Sequence, residues 1–356
     1  MPNEHLTYGL HKSGTFPTFT NPASTNAIPV ENFNIDGTRT LEIPEDTGAT
    51  IRSKAYKYQG AVNASGSMSM RAYNTGLIPL LFRSFLTDVD ANLDGSAYDN
   101  DLLPDDAGSI TTPQNPWFSF VQYYGATIGQ AVRGAVLSKI TLSCTGGEAL
   151  MVACDFIAAD TGKSGGTWSD GVSIASLPTV AYPATVPPPL RFHEGSLTFG
   201  GSMSKSGNKL STNGSPVCLI DTFSLEITLN TEGRFPICDG APTIGYTRHG
   251  ARDIVFTGDY DWADYTDTNY DDMKDAAETA LQLKFISDAD MPTIAKKYEL
   301  IVNLPRMVWP EDGGLLPPVD GVVMPKKQSI RLVSMQDITT TLTDIGVSIQ
   351  TEADLT

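Results

Sequence analysis

Asn32-Phe33-Asn34-Ile35 and Thr222-Phe223-Ser224-Leu225 decide the fold, because the same order of features follows each of them. Each tetrapeptide is followed by a turn-rich excursion and then by a returning stretch. The returning stretches are Ser65-Gly66-Ser67-Met68 and Thr257-Gly258-Asp259-Tyr260. The two tetrapeptides begin 190 positions apart (222 − 32), and the two returning stretches begin 192 positions apart (257 − 65). Offsets that agree this closely predict an internal duplication.

Length and composition favour two β-rich modules. A chain of 356 residues has room for two domains, and 32 Gly and 23 Pro suit strands and turns better than helices. The predicted fold is mostly β, with two tandem β-sandwich or barrel modules that each carry one flanking α-helix. The predicted boundaries are an N-terminal arm at 1–29, module 1 at 30–160 with an acidic insertion at 88–115, a Pro/Gly-rich linker at 161–189, and module 2 at 190–356.

Alternating polar and apolar residues predict the strands on which the modules are built. These strands begin at Asn32, Tyr58, Thr222 and Asp253. On each, the face turned away from the core consists of Asn, Ser, Thr, Asp and Glu, without Lys or Arg. Each second strand of a pair is followed by a predicted helix, at Gly76–Leu86 in the first copy and Asn269–Gln282 in the second.

Charge and cysteine usage limit the function classes. A net charge of −17 is unlike a conventional nucleic-acid binder, which needs a basic surface. The four cysteines form no C-x-x-C pair, so the sequence predicts free thiols in a reducing cytoplasm. The N-terminus has no signal-peptide pattern, and no apolar run is long enough to span a bilayer, so a soluble, non-exported chain is expected.

The sequence contains none of the familiar catalytic motifs, and we expect no enzyme. One pattern resembles the start of a calcium loop, with oxygen ligands at alternate positions before a glycine. Its candidate ligands are Asp90, Asn92, Asp94 and Asp101. The alternative is a solvated acidic insertion, since position twelve is Asp rather than Glu and Pro104 follows.

The order of these elements resembles the tail tube protein of long-tailed bacteriophages, in the subfamily with two tube modules per chain. The residues that carry the resemblance are Gly60–Met70 with Leu77–Leu86, Arg252–Asp259 with the helix to Gln282, and the strand-turn-strand at Gly134–Phe156. The resemblance implies a structural virion protein, assembled in the host bacterial cytoplasm into stacked rings that form a conduit for DNA ejection. It implies no cofactor and partners among tail terminator, tape measure and baseplate-type proteins.

Two modules per chain imply a homotrimeric ring with pseudo-six-fold symmetry, and a hexameric ring is the alternative. The excursions are implied to contact the next ring, through Pro44, Asp46, Ile51, Arg52, Lys54, Arg234, Phe235, Ile237, Tyr246 and Arg248. The polar strand faces are expected to line the lumen, through Asn34, Asp36, Thr38, Asn63, Ser65, Ser67, Ser69, Ser224, Glu226, Thr228, Thr257 and Asp259. Without cations, such a wall offers phosphates no ion pairs, so DNA passes transiently and without specific binding.

A second hypothesis belongs to another class. A tandem β-sandwich can also be a carbohydrate-binding or adhesion protein, in this case with calcium at the acidic insertion. That hypothesis requires an exposed aromatic platform, for which Tyr123, Tyr124 and Trp168 are the candidates.

Overall fold

The fold is known from a computed structural model that describes most of the chain. The described residues are 5–12, 14–24, 26–42, 58–73, 76–105, 116–124, 128–177, 188–217, 220–235, 243–261, 278–291, 294–309, 327–335 and 342–356. Within them the chain is mostly β-strand, as predicted, with one α-helix and one short 3-10 helix.

The first half of the chain contributes ten strands and the α-helix. They are β1 (His5–His11), β2 (Ala27–Pro29), β3 (Asn32–Glu42), β4 (Tyr58–Arg71), α1 (Leu77–Arg83), β5 (Asp88–Asp94), β6 (Ala97–Leu103), β7 (Trp117–Tyr124), β8 (Ile128–Thr145), β9 (Met151–Ala158) and β10 (Asp160–Lys163).

The second half begins with the 3-10 helix Phe192–Glu194 and continues as strands. They are β11 (Gly195–Phe199), β12 (Met203–Ser206), β13 (Lys209–Thr212), β14 (Ser215–Val217), β15 (Ile220–Thr228), β16 (Glu232–Arg234), β17 (Tyr246–Arg248), β18 (Asp253–Asp261), β19 (Glu278–Asp290), β20 (Lys297–Val308), β21 (Lys327–Ser334) and β22 (Gly346–Thr351).

The two halves repeat the same antiparallel strand pairings in the same chain order. In residues 5–163, which we call repeat 1, the pairs are β1–β2, β1–β7, β3–β4, β4–β9, β7–β8, β8–β9 and β8–β10. In residues 195–351, repeat 2, the pairs are β11–β14, β11–β19, β15–β18, β18–β21, β19–β20, β20–β21 and β20–β22. The two tetrapeptides found in the sequence therefore lie in equivalent strands, and so do the two returning stretches.

The pairing registers correct one detail of that alignment. Asn34 lies opposite Ser67, and Ser224 lies opposite Thr257. Ser67, rather than Ser65, is thus the counterpart of Thr257, and both strand pairs then have the same offset.

Each repeat is a sandwich whose two layers meet through aromatic side chains. In repeat 1, Phe33 of β3 contacts Phe120 of β7, with ring centroids 5.5 Å apart. In repeat 2, Phe223 of β15 contacts Phe285 of β19 at 6.1 Å. All four side chains belong to one buried apolar cluster that runs through both repeats. Burial of this continuous surface is the main stabilising term of the fold.

Strand β8 passes from one layer to the other. Its first half pairs with β7 and β10, and its second half pairs with β9. Gly134 lies where the partners change and has a φ of 62°. A Cβ there would lie 2.7 Å from the Cβ of Pro17 and 3.0 Å from that of Ala159. Glycine is required because the bend needs both the positive φ and the missing side chain.

Helix α1 closes the core of repeat 1, as the sequence predicts. Leu77, Ile78, Leu81 and Phe82 are fully buried, and Pro79 occupies the first turn, where no backbone donor is lost. The predicted second helix is wrong at its end, because Glu278–Gln282 is part of β19. The rest of that prediction, 269–277, lies outside the described residues.

The predicted arm and linker both contribute to the sandwich where they are described. β1 pairs with β2 and, along its whole length, with β7, and Phe16 is buried, so the described residues between 5 and 29 are not an arm without a core. After β10, Trp168 and Ile174 are also buried. The sequence interpretation did not assign the arm or the linker to the sandwich, because the apolar residues in both segments are separated by Gly and Pro. Among the described residues, no helix is long and apolar enough to cross a membrane.

Candidate functional site

One antiparallel sheet continues from repeat 1 into repeat 2. Its strand order is β3-β4-β9-β8-β15-β18-β21, and we call it the joined sheet. The repeats meet where β8 pairs with β15, from Lys139 opposite Thr228 to Thr145 opposite Thr222. We call this pairing the inner seam. The facing edges of β8 and β15 would otherwise be exposed, and their backbone groups are hydrogen-bonded to each other within one chain.

The joined sheet has one buried face and one polar face. Phe33, Ile35, Leu225 and Phe256 point into the core and are at most 8% exposed. The residues between them point outward. All twelve predicted lumen candidates lie on this outward face, because each lies opposite another member or in phase with one along its strand. The structure therefore brings together on one surface what the sequence assigned to four separate strands.

Strands β8 and β9 add residues to the polar face that the sequence interpretation left out. Ser143 and Thr141 lie opposite Ser224 and Glu226 across the inner seam. Asp155 of β9 lies opposite Ser67. The pairing of β8 with β15 is non-local, and no periodicity within either strand could have indicated it.

The polar face also contains cations, which the four-strand interpretation did not include. Lys139 forms an ion pair of 2.8 Å with Glu226 across the inner seam, and Arg71 at the end of β4 pairs with Glu31 at 3.1 Å. Arg331 of β21 also lies on this face, opposite Thr257. Asp36, Asp155, Glu226, Asp253 and Asp259 are the carboxylates of the face. Two of the cations are thus neutralised by neighbouring acids.

A second joint connects the repeats on the outer side of the molecule. β6 of repeat 1 pairs with β22 of repeat 2, from Leu102 opposite Val347 to Tyr98 opposite Thr351. Asn100 is fully buried in this joint, and its side chain bonds the backbone of Ile349, Ala353 and Leu355. The predicted acidic insertion is therefore, in its described part, a hairpin that fastens repeat 2 to repeat 1.

Residues after β22 complete this outer joint. Leu355 is 2% exposed and belongs to the main core cluster. Its carbonyl oxygen accepts hydrogen bonds from Arg83 Nε and Lys12 Nζ, both at 3.0 Å. Buried apolar contact and satisfied polar groups coincide here, which is how a well-packed interface is stabilised.

Comparison with protein families identifies this architecture. The model of a family described as phage tail tube protein matches residues 12–318, which covers β2 through β20 and so extends across both repeats except for β1, β21 and β22. The chain belongs to the phage tail tube protein family. No curated protein matches it. A tail tube protein is a structural component of the virion tail, which agrees with the expectation of a structural rather than catalytic chain.

The excursion of the tail tube chain's second repeat is described at its base. β16 pairs with β17, so Arg234 lies opposite Tyr246, and the guanidinium of Arg248 lies 5.8 Å from the centre of the Tyr246 ring. Phe235 is 42% exposed. Ile237 lies outside the described residues, as do all the candidates from the first excursion, namely Pro44, Asp46, Ile51, Arg52 and Lys54.

The second excursion packs against repeat 1 of the tail tube chain. Ile244 is buried beside Phe16 and Trp117. The hydroxyl of Thr231 donates to the carbonyl oxygen of Leu137 in β8 at 2.8 Å and contacts His249 Nδ1 at 2.7 Å. Burial, together with the nearby charge of Arg252, lowers the pKa of His249 to about 4. His249 is therefore neutral at pH 7.

The predicted calcium ligands of the tail tube chain lie on a hairpin. Asp90, Asn92 and Asp94 alternate along extended β5, and Asp101 lies opposite Asp90 in β6. Alternate residues of a strand are about 6.6 Å apart, whereas a calcium loop turns its ligands toward one point. Asp101 accepts a hydrogen bond from Ser348, and burial raises its pKa. Calcium binding here stays a prediction.

The carbohydrate-binding alternative requires an exposed aromatic platform, and the prediction that Trp168 belongs to it is wrong. This side chain is 4% exposed and lies beneath the guanidinium of Arg133, which is 4.7 Å from the ring centre. Phe19 covers it as well, at 5.2 Å. Tyr123 is partly buried beside the same cluster, and the side chain of Tyr124 lies outside the described residues.

One further cluster could attract a ligand. His193, Glu194 and Asp288 lie within 4.8 Å of one another, and within the described part of the chain they are the group with metal-compatible spacing. Both Glu194 oxygens accept backbone hydrogen bonds, from Arg191 and Asp288. The carboxylate thus stabilises a turn, and exposed groups of this kind are common without a metal.

Proposed function

We propose that this chain assembles into rings of three that stack into the tail tube, and that the joined sheets of a ring enclose the passage for DNA. The observation that carries the proposal is the inner seam. β15 of repeat 2 is joined on its outer edge to β8 of repeat 1. β3 is the counterpart of β15, and its outer edge has no strand partner among the described residues. The seam within a chain is thus a template for the seam between chains.

The template fixes how chains add to one another. The edge of β3 in one chain would pair with β20 of the next chain, in the way β15 pairs with β8, because β3 and β20 are the counterparts of β15 and β8. Because every chain then uses the same two edges, the contact is head-to-tail, and such contacts close into rings when the rotation allows it. Ring closure removes all open edges of the sheet. Two repeats per chain support three chains for a six-fold-like ring, and a ring of six chains is the alternative.

The polar face supports a role as the wall of the passage. Its side chains are hydroxyls, amides and carboxylates, and Lys139 and Arg71 are engaged by Glu226 and Glu31. DNA phosphates bind proteins by exchanging condensed counterions for Lys and Arg side chains. Carboxylates outnumber cations on this wall, and two of its cations are paired with neighbouring acids, so phosphates would find little to bind and DNA would pass without being held.

Contacts along the tube are assigned to the excursions. The described base of the second excursion exposes Phe235 next to Arg234, which pairs with Glu232, a combination of apolar and charged groups suited to a protein contact. Stacking of rings through these segments would leave the two ends of the tube to bind the tail terminator, the tape measure and baseplate-type proteins. Assembly would take place in the host cytoplasm.

The test compares the purified chain before and after assembly. Electron microscopy is expected to show rings or tubes, and native mass spectrometry is expected to give three chains per ring. Backbone amides of β3 should become protected from hydrogen exchange on assembly. The edge strand β5, whose one partner among the described strands is β6, provides the matched control and should exchange as before. Persistent monomers, or protection of β5 without β3, would contradict the proposal.

A further inference from the structure

The outer edge of β3 is covered by other parts of the same chain. In an extended strand the N–H and C=O groups of one residue point to one edge and those of the next residue point to the other edge. The carbonyl oxygen of Asn34 points toward β4, since it would lie only 1.8 Å from a Cβ built on Gly66. The carbonyl of the next residue, Ile35, therefore points to the outer edge. There it accepts a hydrogen bond of 3.0 Å from the side-chain amide of Gln130 in β8.

The next outward-pointing residue, Gly37, is covered as well. Its N–H donates to Oδ1 of Asp36 at 2.8 Å. Strand β10 packs against the core side of Gly37, because the Oγ1 of Thr161 is 2.7 Å from the position that a Cβ there would occupy, in phase with buried Phe33 and Ile35. Only a residue without a side chain allows β10 to approach this closely. The outward groups of Ile35 and Gly37 are thus occupied by Gln130 and Asp36, and β10, whose Lys163 lies opposite Gln130, holds the same stretch of β3 from its core side.

The equivalent edge in repeat 2 is that of β15, and it is paired with β8. Leu225 and Ile227 are the counterparts of Ile35 and Gly37, and they lie opposite Leu142 and Ile140 of β8. The counterpart of Asp36 is Glu226, and it pairs with Lys139 across the seam rather than with its own strand.

The counterpart of β10 also differs. β22 pairs with β20, as β10 pairs with β8, but the other edge of β22 is held by β6. In repeat 2, therefore, the strand that could cover the edge is engaged elsewhere, and the edge itself is joined. One chain thus contains both the covered and the joined form of the same edge.

We infer that β10 and Gln130 form a cover over the assembly edge of β3, and that a second copy of this chain can join only when the cover is displaced. The inference rests on the proposed function. Exposed strand edges promote uncontrolled association, and natural proteins commonly block them. A cover made of one neutral side-chain hydrogen bond and a short strand is weak enough to be displaced by a longer backbone ladder.

A disulfide between residues 37 and 161 tests the inference directly. A Cβ on residue 37 would lie 3.7 Å from the Cβ of Thr161, close to the spacing of about 3.8 Å found in disulfides. The double variant Gly37→Cys, Thr161→Cys, oxidised and checked by peptide mass mapping, should assemble at least about tenfold more slowly than its reduced form. The reduced form of the same protein is the matched control, and Thr161→Cys alone should not respond to oxidant.

A second variant acts in the opposite direction. Gln130→Met keeps the length of the side chain but removes the donor to Ile35, so spontaneous assembly should accelerate by about fivefold, the value of one neutral hydrogen bond. Ser204→Ala removes an exposed side-chain hydrogen bond to Ser211 in the β12–β13 hairpin instead, and it should assemble like the unmodified chain. Equal assembly of the oxidised and reduced double variant would overturn the inference while leaving the ring intact. Failure of the unmodified chain to assemble would overturn the proposed function and this inference with it.

Discussion

Acidification from pH 7.5 to pH 5 should destabilise the chain through His249. The ring is buried at the base of the second excursion, and Nδ1 donates to the hydroxyl of Thr231, which itself donates to Leu137. The other ring nitrogen, Nε2, is buried without a hydrogen-bond partner among the described residues. A proton added there would place a charge in an apolar site near the guanidinium of Arg252.

The size of the effect follows from the two protonation equilibria. The pKa of His249 is about 4 in the folded chain, against 6.5 for an ordinary histidine. The folded state therefore binds fewer protons than the unfolded state between these values, so stability is full above pH 6.5 and is lost as the pH falls. The loss is about 2 kcal/mol at pH 5 and approaches about 3 kcal/mol below pH 4.

Denaturant unfolding of the unassembled chain at several pH values measures this term. His249→Asn retains a donor at the position of Nδ1 but cannot be protonated, so its stability should fall by about 2 kcal/mol less than that of the unmodified chain over the same range. His193→Asn, at an exposed histidine, is the matched control and should follow the unmodified chain. The reasoning is refuted if His249→Asn shows the same pH dependence as the unmodified chain.

Three further predictions concern the polar face, the pairing of β3 with β4, and the outer joint. Ser67→Lys combined with Asp259→Lys should leave tube assembly intact but slow DNA ejection, as measured by dye-reported release, and unchanged ejection would mean that these side chains do not line the passage. Gly66→Ala should cost about 3 kcal/mol or more in denaturant unfolding, because the new Cβ would lie 1.8 Å from the carbonyl oxygen of Asn34; a near-neutral effect would contradict the close approach of β3 and β4. Leu355→Ala should destabilise the chain by about 2–5 kcal/mol through the cavity it leaves in the core, and wild-type stability would exclude a structural role for the outer joint.

The sequence predicted best where a strand lies between solvent and core. Apolar and polar residues alternate along β3, β4, β15 and β18, because one face of each strand meets the core and the other does not. The turn at Gly146-Gly147 was predicted for a similar local reason, since it connects β8 to β9. The twelve candidates for the polar face followed from the same alternation.

Non-local pairing explains most of what the sequence could not provide. The inner seam joins residues about 80 positions apart, and neither β8 nor β15 carries a signal for its partner. Glu278–Gln282 was assigned to a helix because alanines and a leucine at helical spacing favour one, but pairing with β20 overrides this local preference. β10 was assigned to the linker because four residues are too few to show a period.

The covalent connection between β8 and β15 changes the kinetics of building a tube. Two modules on separate chains would have to find each other by diffusion, whereas two on one chain meet at a local concentration in the millimolar range. In the proposed ring, half of the contacts between modules would then form during folding and would not depend on how much protein the cell has made. Dilution can therefore slow only the encounters that remain between whole chains.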